Sequence, residues 1–422
     1  MKQLLQSPFL TRFLVVPLWL LLDRLVVKSE HYWGFPVHFS DASHFIENTR
    51  AVFEHVKTDP NIRKVIFYRG NKPDLRIEDA ANLTMINLQT AKGLWLLMRC
   101  RVLFVANAIS WDFTLRWQND TRFVIIPMNL KIRKVVNVWH GIPLKKIVSL
   151  WNDTLRKRYN RIAYRCYERT HYHALIASSK IDSYVMANVF YPLPHQKVLV
   201  SGLPRNDFLL KPINQLPSYL KEQHKRIQDL CKGRRLVLYA PTHRQTRCIE
   251  GSGYYNFSAE EASRLKALLK EHSAVLGVRM HYSRKGINVM PPEELIDGDT
   301  VIDVGNRFIP EIAPLIREAT WIITDYSSLY IDALYLNKPV FSFAYDLEHY
   351  RDQQDGLLYD MHLAFPGPVV QTFDELLQSL RTEMALPEQH TQPRYQHIRS
   401  MFFDYFDDQN TRRLLDFLQC NS

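Results

Sequence analysis

Three short segments carry residue types that could do chemistry, and each follows an apolar run of strand length. The first is Val138-Trp139-His140-Gly141-Ile142-Pro143-Leu144-Lys145-Lys146. A histidine just past a strand is a candidate general base, because imidazole titrates near working pH. Gly141 permits close backbone approach, and Lys145 and Lys146 can neutralise phosphate. The plain structural account of His140 is a hydrogen-bonding residue at a turn. The second segment is Gly277-Val278-Arg279-Met280-His281. Arg279 and His281 alternate, so an extended chain points both to one side. Two donor side chains on one side suit a diphosphate; the structural account is an edge-strand arginine beside a surface histidine. The third is Ile322-Ile323-Thr324-Asp325-Tyr326-Ser327-Ser328-Leu329. It reads as strand, small polar turn, helix start. Ser327 and Ser328 would set hydroxyls and backbone N–H groups at a helix N-terminus, where an anion can bind and where a serine also serves as a simple cap.

These segments need a scaffold that ends several strands on one edge. The first half of the chain has short β-branched runs at Lys64–Tyr68, Val102–Ala106, Phe123–Ile126, Val135–Val138, Ala174–Ala177 and Val198–Val200. Runs this short and apolar suit strands covered on both faces. Helical stretches lie between them, such as Asp153–Arg169 and Lys180–Val189. The second half repeats the style. Strands are expected at Leu236–Tyr239, Ala274–Arg279, Trp321–Thr324 and Val340–Phe343. Helices are expected at Ser258–Lys270 (Ser258 as cap, Glu261 three residues on), Pro310–Glu318, Ser328–Leu336 and Phe373–Leu380, with a closing helix over Arg399–Leu418. Alternation of this kind implies βαβ units. The expected fold is α/β, two doubly wound Rossmann-like domains facing a cleft, with ligands beyond the strand carboxyl ends. The expected division is 1–210 and 211–422, joined by the polar stretch Lys211–Arg234.

The chain has 422 residues, 46% hydrophobic and 23% charged, with a formal charge of +11. That is ordinary globular composition, and two or three domains fit the length. The surplus is uneven: residues 1–210 hold 30 basic and 15 acidic side chains, whereas 211–422 hold 24 and 28. A basic first half points to an anionic partner. Five widely spaced cysteines with no C-x-x-C fit a reduced, cytosolic protein. Phe13–Leu22 reads FLVVPLWLLL, ten apolar residues, against about 20 for a membrane span. It is either a buried element or a stretch that seats in a membrane interface, flanked by Lys2, Arg12, Arg24 and Lys28. Arg161, Arg165 and Arg169 share one helix face. No RNA-binding or helix-turn-helix pattern accompanies them, so nucleic acid is not an expected partner. Gly-rich phosphate-binding signatures are absent. Asp297-Gly298-Asp299 and His171-Tyr172-His173 are weak metal motifs, so no metal site is assigned.

Taken in order, several stretches resemble the bacterial CDP-glycerol glycerophosphotransferase family, the teichoic-acid primases and polymerases. They are WHGIPLK (139–145), SGLPRNDFL (201–209), YAPTHR (239–244), RMH (279–281), ITDYSSLYID (323–332), KPVFSFAYDLEHYR (338–351) and FPGPVV (365–370). The resemblance runs from about residue 135 to 380. It implies a GT-B fold with an acceptor face on the first domain and a donor site in the second. It puts the essential histidines at His140 and His281. Arg279, Ser327, Ser328, Asp325 and Arg244 would then hold the donor phosphates, and Lys145, Lys146, Arg161 and Arg165 the anionic acceptor. The implied donor is CDP-glycerol or CDP-ribitol; no tightly bound cofactor is implied, and no motif indicates Mg2+. The implied reaction moves a polyol phosphate onto a hydroxyl of a lipid-linked or polymeric glycan and releases CMP. The implied location is cytoplasmic, peripheral at the inner membrane face. A GT-B glycosyltransferase using a nucleotide sugar, and a non-enzymatic basic scaffold or nucleic-acid-binding protein, are the alternative readings.

Overall fold

The computed structural model describes residues 7–38, 45–117, 122–150, 162–242, 254–280, 295–353 and 356–420. The chain forms two compact units. The first comprises residues 1–141, 153–207 and 409–422, and the second 142–152 and 208–408.

The first unit is built on seven parallel strands and one antiparallel ribbon. In chain order they are β1 Ser29–Pro36, β2 Arg63–Tyr68, β3 Leu83–Asn87, β4 Cys100–Val105, the ribbon β5 Leu115–Trp117 and β6 Arg122–Val124, then β7 Lys134–Asn137, β8 Ala174–Ala177 and β9 Val198–Val200. The sheet order is β3-β2-β1-β4-β7-β8-β9. Strands β4, β7 and β8 are almost wholly buried, as their apolar runs predict for a sheet covered on both faces. The direction of winding reverses between β1 and β4, which leaves a crevice at their carboxyl ends. The run at Phe123–Ile126 contributes to the ribbon instead of the sheet. β1 and β3 have no counterpart among the expected strands.

The second unit repeats the plan with β10 Arg235–Tyr239, β11 Ala274–Val278, β12 Val301–Asp303, β13 Ala319–Thr324, β14 Val340–Phe343 and β15 Val369–Val370. Their order is β12-β11-β10-β13-β14-β15, all parallel, with the reversal between β10 and β13. Its core gathers Val237, Leu268, Leu276, Trp321 and Phe341. Helix Ala259–Glu271 begins with the expected capping box between Ser258 and Glu261.

The expected closing helix is two helices, Pro393–Phe402 and Asn410–Cys420. Phe403 adopts extended backbone at the break. The last helix belongs to the first unit, not the second. Asp207 explains its seat: its carboxylate accepts from the N–H groups of Asn410 and Thr411, 2.9 Å each. An anion there satisfies first-turn donors and complements the helix dipole. Gly202 makes room, because a Cβ at this position would lie 1.8 Å from Asn410 Oδ1.

The N-terminal apolar run is helical and half-embedded. Helix Val16–Leu25 buries Trp19 and Asp23, and Trp19 Nε1 donates to the Pro127 carbonyl at 2.8 Å. Asp23 lies 2.6 Å from Arg133 Nη2 and 3.1 Å from Lys28 Nζ, all three nearly inaccessible to solvent. Burial alone would raise the Asp23 carboxyl; Arg133, the Asn129 N–H and Lys28 outweigh it and hold it below the usual range. This triad ties the helix to the sheet. Removing one partner strands buried charge, so Asp23→Ala should cost about 3–5 kcal/mol. A chemical-denaturation midpoint equal to wild type would refute that assignment.

Candidate functional site

The site in the first unit sits where β1, β4 and β7 end. His140 lies three residues past β7, and its backbone is held on every side. Asn48 Nδ2 donates to the carbonyls of Val138 (2.8 Å) and Trp139 (3.0 Å). Trp139 N–H donates to Asn137 Oδ1 at 2.9 Å, and Asn137 Nδ2 to the Asn107 carbonyl at 3.1 Å. Arg205 N–H donates to Asn48 Oδ1 at 3.0 Å, and its Nη1 donates to the His140 carbonyl. Trp139 takes a left-handed φ of 37°, a conformation that an indole tolerates only when its surroundings impose it. At Gly141 a Cβ would come 2.8 Å from Arg205 Nη2, so any other residue would push the guanidinium tip aside.

The imidazole is about one third exposed and meets two oxygens. Nε2 lies 2.8 Å from Asn107 Oδ1, and Nδ1 lies 3.5 Å from Glu47 Oε2. The Asn107 amide is oriented by Asp112: Asn107 Nδ2 donates to Asp112 Oδ1 at 3.1 Å, and Asn107 N–H donates to Oδ2 at 2.8 Å. Glu47 opens helix Glu47–Val56. Burial would raise its carboxyl, but His140, Arg205 and His38 together pull it down to about 2. Asp112 behaves oppositely. Burial raises its carboxyl, and the donors from Asn107 and Ala106 and the charge of His140 only moderate the effect. A ring flanked by an anion and a fixed amide oxygen can accept and hold a proton, which is general-base chemistry.

Of the remaining expected first-unit residues, Arg165 stacks over Trp111, 5.4 Å to the ring centroid. Arg161 lies outside the described residues. Lys145 and Lys146 belong to the second unit. Lys145 bridges Leu357 through its backbone and sets its ammonium 5.6 Å over the Tyr350 ring. Lys146 N–H donates to the Gly356 carbonyl at 3.2 Å.

The third segment lands on the second unit's own reversal point. Asp325 is buried, and its Oδ1 accepts from Thr242 N–H at 2.8 Å and Tyr326 N–H at 2.6 Å. It therefore clamps the exit of β10 to the exit of β13, a frame role where a donor-phosphate role was expected. Tyr326 stacks on Tyr350 at 4.2 Å and donates to Asp346 at 2.9 Å. Ser327 Oγ accepts from Leu329 N–H at 3.3 Å. Ser328 precedes helix Leu329–Tyr335 without a side-chain cap bond, so among the described residues its hydroxyl has no partner.

Arg279 departs from expectation in the same direction. Its guanidinium donates to the carbonyls of Val304 (3.1 Å), Ile309 (2.6 Å) and Pro310 (3.1 Å). Burial pulls it down to about 10, against the charges of Glu311 and Asp303. The alternation that should pair it with His281 ends with β11 at Val278; His281 and Arg244 lie outside the described residues. Asp297 is likewise spent, accepting from Asp299, Thr300 and Val301 N–H groups and pairing with Lys266 at 3.3 Å. No group of three or more metal-ligating side chains occurs among the described residues.

Sequence reasoning passed over Glu47, Asn48, Asn107 and Arg205. Asn107 had a signal, a polar residue two past an apolar strand. Arg205 lay inside a stretch already singled out. Glu47 and Asn48 had none, because β1 before them was not legible. If Arg279 is a frame residue, Arg279→Lys should not restore what Arg279→Ala loses. A lysine keeps the charge but cannot serve three carbonyls, each of which costs about 1–3 kcal/mol when left buried and unpaired. Urea denaturation should place both variants at least about 2 kcal/mol below wild type; a stable Arg279→Lys protein would return the residue to a phosphate role.

Residues 36–419 match the family of CDP-Glycerol:Poly(glycerophosphate) glycerophosphotransferases. The chain is 25% identical over 342 residues to a teichoic acid poly(glycerol phosphate) polymerase of Bacillus spizizenii, covering 79% of each chain. It is 28% identical over 297 residues to a teichoic acid glycerol-phosphate transferase of Staphylococcus aureus, covering 66% of this chain and 69% of that one. The solved wall teichoic acid polymerase TagF shares the fold, with a TM-score of 0.75 at 20% identity over 100% of this chain and 95% of that chain. The two doubly wound sheets, the ordered motifs and this match over nearly the whole length agree: the chain is a transferase that belongs to the CDP-glycerol:poly(glycerophosphate) glycerophosphotransferase family.

Proposed function

We propose that this protein transfers glycerol phosphate from CDP-glycerol to a hydroxyl of a lipid-linked or polymeric cell-surface glycan. The observation that carries the reading is His140, held at the carboxyl end of β7 between an amide oxygen and a carboxylate, inside a chain matched to the family over residues 36–419. The acceptor oxygen bonds to the phosphorus that bears glycerol, the bond from that phosphorus to the CMP oxygen breaks, and CMP departs. His140 takes the acceptor proton. Phosphoryl transfer asks the protein chiefly for positioning and charge stabilisation. His281, Arg244, Ser327 and Ser328 serve the donor phosphates in this reading. Ser328 is supported by a hydroxyl that has no partner among the described residues, whereas Arg279 and Asp325 act by shaping the loops around them. Lys145, Lys146, Arg161 and Arg165 add positive charge for the anionic substrates.

The enzyme works at the cytoplasmic face of the membrane in this reading. Among the described residues no helix is long and apolar enough to cross a bilayer. The N-terminal helical segment nevertheless exposes Phe9, Phe13, Leu14, Leu18, Leu21 and Leu25, spaced as one stripe. An apolar stripe beside Arg12 and Arg24 suits the interface of an anionic bilayer.

Two measurements test this. CMP should appear from CDP-glycerol with membrane extract as acceptor, and His140→Ala should lower turnover about 10²–10⁴-fold. CMP from CDP-ribitol alone would change the polyol, and UDP from a nucleotide sugar would replace the reaction with glycosyl transfer. In flotation, the wild type should rise with vesicles containing phosphatidylglycerol, and the Phe13→Asp, Leu21→Asp double variant should stay behind. Equal flotation of both would dismiss the stripe as the membrane seat.

A further inference from the structure

The proposed base leaves one question unanswered: what sets which ring nitrogen carries the proton. Both nitrogens of His140 face oxygen. Asn107 Oδ1 cannot exchange places with Nδ2, because Asp112 accepts from Nδ2 and from the Asn107 N–H. Glu47 Oε2 faces the other nitrogen at 3.5 Å. A neutral imidazole has one N–H and can satisfy only one of these oxygens; the protonated ring satisfies both. The two acceptors together favour the imidazolium; with a hydroxyl seated at Nε2 in place of Asn107 Oδ1, Glu47 at Nδ1 is the group that stabilises the positive ring formed in the step.

We infer that Glu47 is the positioning residue of this site, the anion that fixes the His140 ring through Nδ1 and stabilises the imidazolium formed when Nε2 takes the acceptor proton. The inference rests on the base role proposed above for His140. In the step, the acceptor hydroxyl takes the place that Asn107 Oδ1 holds at Nε2 and passes its proton to that nitrogen, while Nδ1–H stays turned to Glu47. Glu47 remains ionised throughout, as its depressed carboxyl allows.

Glu47 is placed for this at a local cost. Its φ is 60°, a left-handed conformation that costs a glutamate on the order of 1 kcal/mol. It directly follows Ile46, which has no side chain able to cap the helix. Its second oxygen, Oε1, lies 3.9 Å from Arg205 Nη1, and that guanidinium is itself engaged on the His140 carbonyl. Arg205 therefore steadies the carboxylate from one side while holding the histidine backbone from the other. The charged groups facing the ring are Glu47 from its helix, Asp112 through Asn107, and Arg205; His38 acts on Glu47.

The test compares Glu47→Gln, Glu47→Asp and His140→Ala in the full chain. Glu47→Gln keeps shape and removes charge. It should lower kcat about 10–100-fold, as loss of a group that orients a catalytic histidine does, with KM for CDP-glycerol unchanged. Glu47→Asp should recover part of the loss. Independently of activity, nitrogen NMR shifts of the neutral His140 ring should show Nδ1 as the protonated nitrogen in the wild type and lose that preference in Glu47→Gln, because the carboxylate facing Nδ1 fixes the N–H on its side. The same tautomer in both proteins would overturn the inference whatever the activity. A changed tautomer with wild-type kcat would overturn it too, since Glu47 would then pair with a ring that catalysis does not use. Full activity in His140→Ala would sink the base assignment separately, so the two failures are distinguishable.

Discussion

Asn48 is the tie on which the first-unit site depends. One carboxamide gathers three segments that are distant in sequence: its amide nitrogen serves the carbonyls at 138 and 139, and its oxygen takes the N–H of residue 205. Each hydrogen bond contributes only about 0.5–1.5 kcal/mol net. The greater force is the penalty for leaving any of these buried groups unmet, which makes the arrangement all-or-none. The strained Trp139 and the nearby Gly141 are consequences. The histidine backbone follows the tie, and the ring then reaches the oxygens that frame it.

The second unit meets the same constraint with different chemistry. At its reversal point two strand exits must be held together, and Asp325 does so with one carboxylate oxygen shared between two backbone N–H groups. A charge-assisted acceptor is roughly twice as strong as a neutral one, which suits a clamp made by a single side chain. Both units thus spend conspicuous polar residues on fixing loop geometry.

The strands were the most legible part of this chain. Runs such as Ala174–Ala177 and Val340–Phe343 are too short and too apolar for anything but a buried parallel strand, and both appear with the expected bounds. β1 was invisible because Ser29–Pro36 mixes charged, aromatic and proline residues and is buried only over its last half. Phe123–Ile126 had the right composition but pairs with the preceding short strand, a choice that composition cannot express. The place of His140 just past a strand was legible because that spacing is visible in one dimension. Glu47 was not, since its relevance arises only when residues 93 apart in sequence come together. Arg279 shows the reverse failure: its motif context suggested a ligand, yet three carbonyls within reach claim the guanidinium first.

The C-terminal helix has a bearing on how the protein matures. Helix Asn410–Cys420 packs on the turn at 204–206 and on the helix that begins with Glu47, burying Leu414, Leu415 and Leu418. During synthesis from the N-terminus, domains generally fold as units in order of emergence. Here the first unit cannot do so. Asp207 waits for its helix, and the Glu47 helix lacks part of its cover, until some two hundred further residues of the second unit have left the ribosome. The first unit is therefore begun early but not closed until helix Asn410–Cys420 has emerged, and the setting of its Glu47 helix is coupled to the making of the second unit.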